Sequence, residues 1–211
     1  MKRRMGLLLA LLLTLSGCGS TAVPSAPAAE DVLPAEAPAE NTGLTSTLLE
    51  AEPRPLTGEE ILSAYFRAEE AYGWFERTPL PDSGESVRLE GAVYRRVDAP
   101  GMANLEDLRT YLRGLFSAEL TDCLLAAGDA CPLYRDIDGA LYVSFRGRDR
   151  NPERGETLVE VVQTDSRTYS VDVSVELLEG ESGAVVGLEC WSLPFAYVDG
   201  RWVFTDFRLD G

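Results

Sequence analysis

The chain of 211 residues contains no histidine and one lysine, Lys2. Without imidazole there is no Ser-His-Asp or Cys-His relay and no histidine metal ligand. Without a lysine in the body of the chain there is no Schiff-base nucleophile. Cations are scarce altogether: 19 Lys and Arg face 35 Asp and Glu, a net charge of −16. A chain this acidic is repelled by nucleic acid, where Lys and Arg must neutralise phosphates. Its charge also gives it no attraction to an anionic membrane surface. No D-x-D-x-D-G run supplies a calcium loop. No cofactor is expected.

The few basic residues are unevenly placed. Lys2, Arg3 and Arg4 precede an apolar run from Gly6 to Leu15, about ten residues where a membrane span needs about twenty. The run ends in Leu15-Ser16-Gly17-Cys18, which resembles the lipobox of bacterial lipoprotein signals. The resemblance implies an export leader over 1–17, removed before Cys18, and a lipid anchor on the Cys18 sulfur. Two or three acyl chains, at about 0.8 kcal/mol per buried methylene, hold a protein on a membrane almost permanently. The expected address is therefore the extracytoplasmic face of the cell membrane. Cleavage leaves 16 arginines against 35 acids, a net of −19.

Residues 18–55 are read as a disordered tether. Between Gly19 and Pro55 lie six of the twelve prolines, eight alanines and six acids against Arg54 alone, with no aromatic residue. Such a stretch cannot bury enough surface to offset its chain entropy. As a coil it spans about 35 Å. Residues 56–211 then carry the folded domain, with 29 acids against 15 arginines, a net of −14. Thr57-Gly58-Glu59-Glu60 is a capping-box pattern. Ile61, Tyr65, Ala68, Tyr72 and Phe75 follow at helical spacing, predicting a helix of about five turns. Val87 to Val97 reads as one strand. Asn104 is placed to cap a second helix with Leu105, Leu108, Tyr111, Leu112 and Leu115 inward, and a third short helix runs near Ala118 to Ala126. The remainder is β: Asp138-Gly139 and Asp199-Gly200 are hairpin turns, and Val171, Val173, Val175 and Leu177 alternate with period two. Helices first and strands after predict an α+β fold, N-terminal helices packed against a bent antiparallel meander sheet. By analogy this is the cone arrangement of nuclear-transport-factor-2-like and cystatin-like domains.

Three cysteines remain once Cys18 is assigned to lipid. Cys123 and Cys131 flank Gly128, so a disulfide between them is geometrically open and export permits it. Cys190, beside Trp191 in a strand, is expected as a small core residue. The carboxylates fall mostly in turns and on solvent faces, where solvated charge and turn chemistry explain them. Arg146, Arg148, Arg150 and Arg154 concentrate four guanidinium forks in one loop. In one reading they contact an anionic wall polymer or acidic partner; in the preferred one they form a solvated loop with internal ion pairs to Asp149 and Glu153. Trp74, Tyr94, Tyr142, Trp191 and Trp202 line a pocket in one reading and the core in the other.

The helix Leu105-Glu106-Asp107-Leu108-Arg109-Thr110-Tyr111-Leu112-Arg113-Gly114-Leu115-Phe116-Ser117 precedes the hairpin Tyr134-Arg135-Asp136-Ile137-Asp138-Gly139-Ala140-Leu141-Tyr142. The hairpin Phe195-Ala196-Tyr197-Val198-Asp199-Gly200-Arg201-Trp202-Val203-Phe204 closes the chain. This succession resembles the IseA family of D,L-endopeptidase inhibitors over most of 57–211. The resemblance implies a non-catalytic protein that binds and blocks NlpC/P60-type peptidoglycan hydrolases and so restrains wall autolysis. A basic wall hydrolase is the partner expected, since the negative domain would speed that encounter. The alternative is an extracytoplasmic module that binds a small molecule or a wall polymer in a cone-shaped pocket.

Overall fold

The computed structural model of the chain describes residues 52–126, 132–144, 147, 149, 151–180 and 182–209. The expected leader, Cys18, the tether up to residue 51, Cys131 and the loop arginines Arg146, Arg148 and Arg150 lie outside the described residues. The described residues belong to one compact unit, Leu48–Gly211.

Helix α1, Gly58–Glu76, starts where its capping box predicts. The Glu60 N–H donates to Thr57 Oγ1 at 3.3 Å, and the Thr57 N–H donates to the Glu60 carboxylate at 2.8 Å. Two N–H groups that the first turn leaves unpaired are thereby satisfied. The helix buries Ile61, Ala64, Tyr65, Ala68 and Ala71, with Tyr72 and Phe75 partly covered. Helix α2, Leu105–Arg113, is capped by Asn104, whose Oδ1 accepts from the N–H groups of Glu106 at 2.9 Å and Asp107 at 3.0 Å. Helix α3, Ala118–Ala126, follows directly, and Arg109 of α2 reaches Asp122 of α3 at 2.7 Å.

The strands form two antiparallel sheets of four, and neither closes into a barrel among the described residues. The first holds β1 (Asp82–Leu89), β2 (Ala92–Val97), β3 (Tyr134–Ile137) and β4 (Ala140–Ser144) in the order β1-β2-β4-β3. The second is the meander β5 (Arg154–Asp165), β6 (Thr168–Glu179), β7 (Ala184–Val198) and β8 (Arg201–Phe204). This corrects the single meander sheet expected from sequence. The stretch expected as one strand, Val87 to Val97, folds back at Glu90-Gly91, whose φ values of 52° and 83° make a tight turn. The resulting β2 pairs with β4, so the first sheet completes itself without the later strands.

The segment between α2 and α3 covers one edge of the second sheet. The Ser117 N–H donates to the Phe204 carbonyl at 2.8 Å, and the Phe204 N–H donates to the Leu115 carbonyl at 2.9 Å. Two otherwise exposed ladder groups of β8 are thus paired. On β6 the burial alternates residue by residue: Tyr169, Val171, Val173 and Val175 point into the core, while Ser170, Asp172 and Ser174 face out. Each fully buried valine contributes about 1.5–3 kcal/mol relative to exposure. α1, α2, β4, β6, β7 and β8 share one core with them.

Candidate functional site

The space between α1, the α2–α3 junction and β8 is filled by rings. Phe207 stands at the centre, with centroids 6.0 Å from Tyr65, 5.4 Å from Tyr72, 5.5 Å from Phe116 and 5.1 Å from Phe204. Phe116 and Phe204 are essentially inaccessible. The pairs with Phe116 and Phe204 are edge-to-face, and such pairs add about 0.5–1.5 kcal/mol each beyond the area they bury. An open ligand cavity, expected in this hollow under one sequence reading, is replaced there by a packed aromatic core.

Openings lie instead at the surface. A cleft of about 480 Å³ runs along the first half of α1, lined by Thr57, Glu60, Arg67, Leu115, Phe195 and Trp202. A second, of about 450 Å³, follows the other half of α1 and is lined by Phe66, Glu69, Glu70, Trp74, Pro79 and Pro81 among others. It shares Glu70, Trp74 and Pro81 with a third hollow of about 320 Å³ that reaches Pro100, Met102 and Tyr111. The Trp74 and Tyr111 rings meet at a tilt, with centroids 5.4 Å apart, across that junction. The pair makes an aromatic wall beside two carboxylates, chemistry that suits a cation or the apolar face of a sugar.

The five aromatics weighed in the sequence therefore separate. Tyr94 and Tyr142 are core, with the Tyr94 hydroxyl donating to the Pro132 carbonyl at 2.9 Å. Trp74 and Trp202 line different clefts. Trp191 lies beneath the Arg208 guanidinium at 4.7 Å. The sequence stripe missed Phe66, Arg67 and Phe195 as cleft residues. Phe66 carried a signal: a large apolar residue off the helical stripe, on the polar side of α1.

Among the described residues, the carboxylates whose pKa is displaced are displaced downward. Arg54, through its hydrogen bond at 2.7 Å, together with the Thr57 backbone, holds Glu60 at about 2. Glu90 is lowered by its hydrogen bond from Arg135, and Asp172 by those from Ser170 and Ser192. A general acid needs the opposite displacement. Among the described residues no group of three or more Cys, Asp or Glu is arranged to hold a metal ion.

Arg154 is not a loop residue. It opens β5, its side chain is 13% exposed, and it meets Glu189 at 2.5 Å. Arg208 reaches the other oxygen of Glu189 at 3.7 Å. Arg154 thus makes an ion pair across the sheet, and this guanidinium braces β5 against β7. Cys123 is exposed on α3, while its expected partner Cys131 lies outside the described residues. Cys190, expected in the core, is exposed instead, with its Sγ 3.3 Å from Ser174 Oγ. The reason is register: Cys190 stands opposite Ser174, on the outward face of the second sheet.

No protein-family model matches the chain, and no curated protein matches it.

Proposed function

We propose that this protein is a lipid-anchored, extracytoplasmic binding protein that docks on a basic peptidoglycan D,L-endopeptidase of the NlpC/P60 type and inhibits it, restraining wall autolysis. On this reading the domain is a cone-like relative of nuclear-transport-factor-2-like and cystatin-like folds. The anchor is the lipid on Cys18, and the tether lets the domain reach into the wall. The observation that carries the reading is the division between a ring-packed interior and a surface on which, among the described residues, Glu60, Glu90 and Asp172 are held as anions. Such a surface presents fixed negative charge and shape to a partner. The domain's net of −14, from 29 acids and 15 arginines in 56–211, favours a cationic one and accelerates its approach. The helix and two hairpins that resemble the IseA family point to the same partner class. The test is peptidoglycan hydrolysis by an NlpC/P60 domain titrated with the full-length protein.

A second reading, a module for a wall polymer or small molecule, is favoured by the Trp74–Tyr111 wall. A titration of soluble wall fragments followed by tryptophan emission tests it, and a flat titration rejects it.

A further inference from the structure

Seven large apolar side chains are exposed among the described residues, and five of them lie on β5 and β7 of the second sheet. Leu158 (61% exposed) and Val162 (48%) lie on β5, and Val185 (53%), Val186 (64%) and Leu188 (62%) lie on β7. The register explains the clustering. Leu158 stands opposite Ser174, which stands opposite Cys190; Val162 opposite Ser170; Leu188 opposite Glu176; and Val185 opposite the half-buried Leu178. By this register Leu158, Val162, Val185 and Leu188 occupy the face turned away from Tyr169, Val171, Val173 and Val175. Single exposed apolar residues need no explanation, but several on one sheet face mark a candidate interaction surface.

The polar groups on this face say what kind of surface. Its charged outward positions include Glu160, opposite Asp172, and Glu176, opposite Leu188. No outward position of β5, β6 or β7 carries lysine or arginine among the described residues. Asp172 is held ionised by Ser170 and Ser192. A second copy of the chain would bring these acids against their own kind with no cation between them, and an anionic lipid surface would be repelled as well. The face fits a protein that presents apolar side chains ringed by lysine or arginine.

We propose that the outward face of β5, β6 and β7 is the surface on which this protein receives its cationic partner, the hydrolase of the preceding section. The inference rests on that reading and adds the place of contact. The thiols make it measurable. Cys190 sits within the face and Cys123 lies apart from it on α3, and both are exposed. The full-length protein is treated with N-ethylmaleimide with and without a saturating NlpC/P60 endopeptidase domain, and each cysteine is followed by mass spectrometry. Cys190 should be protected at least tenfold while Cys123 reacts at its free rate. Leu158→Asp with Leu188→Asp, both at exposed positions, should raise the dissociation constant at least tenfold with unchanged circular dichroism. Val93→Asp, an exposed apolar site on the first sheet, should bind like the wild type. Binding with Cys190 unprotected, or with full affinity in the Leu158→Asp/Leu188→Asp double variant, overturns the docking surface and leaves the inhibitor reading standing. Absence of binding overturns both. Protection of Cys190 that rises with the protein's own concentration, without hydrolase, assigns the face to self-association and overturns the cationic partner.

Discussion

The Tyr134 hydroxyl joins three segments. It accepts from the Leu80 N–H at 2.9 Å and donates to the Trp74 carbonyl at 3.1 Å, tying β3 to the end of α1 and to the loop after it. Burial pushes its pKa well above the ordinary tyrosine value. Tyr134→Phe leaves the buried Leu80 donor without a partner and should cost about 1–3 kcal/mol. For a domain of this size that lowers the melting temperature by roughly 2–4 °C per kcal/mol, readable by calorimetry. A second residue-scale prediction concerns Glu60. Its folded pKa of about 2 lies below the ordinary value, so its contribution is complete above about pH 4.5. That contribution is lost as pH falls toward 2. Arg54→Ala removes the largest cause of the shift. The melting temperatures of wild type and variant should differ at pH 6 and converge as pH falls from about 5 to 2. A difference that persists at pH 2 contradicts the assignment.

At the scale of elements, caps and turns carry most of what could be read in advance. The capping box at Thr57, the cap at Asn104 and the turns at Asp138-Gly139 and Asp199-Gly200 place helix and hairpin boundaries by local chemistry alone. Asn104→Ala should cost about 0.5–2 kcal/mol, because two N–H groups of α2 lose their acceptor. Denaturant titration checks it, and an unchanged midpoint would mean that water satisfies that helix end. Glu90-Gly91 is not legible in the same way. Glutamate rarely adopts positive φ, so nothing marks a turn inside an apparently continuous strand. The split into two sheets depends on that turn and on the long-range pairing of β2 with β4. Cys190 escapes a local reading for a related reason. β7 carries apolar residues on both faces, which hides the period-two pattern that β6 displays clearly. Arg154 and Glu189 meet only through register across β5, β6 and β7, information that a local reading of the arginine-rich stretch does not contain.

At the scale of the whole molecule, charge, anchor and packing combine into one account. On the proposed function, the basic leader and the acidic remainder serve different steps, and lipid on Cys18 supplies the membrane attraction that the charge opposes. Cys18→Ser should therefore move the protein from the membrane fraction to the soluble extracytoplasmic fraction, and retention on the membrane would contradict the anchor. If the proposed partner is a basic hydrolase, its association should be salt-sensitive, with the rate constant falling as ionic strength rises from about 0.05 to 0.5 M. The packed aromatic core around Phe207 leaves the clefts lined by described residues at the domain's surface. The most direct measurement is the turnover of purified peptidoglycan by an NlpC/P60 D,L-endopeptidase across a titration with the full-length protein. The account predicts that hydrolysis falls to near zero at stoichiometric protein and recovers at high salt. Undiminished hydrolysis at saturating protein would contradict it.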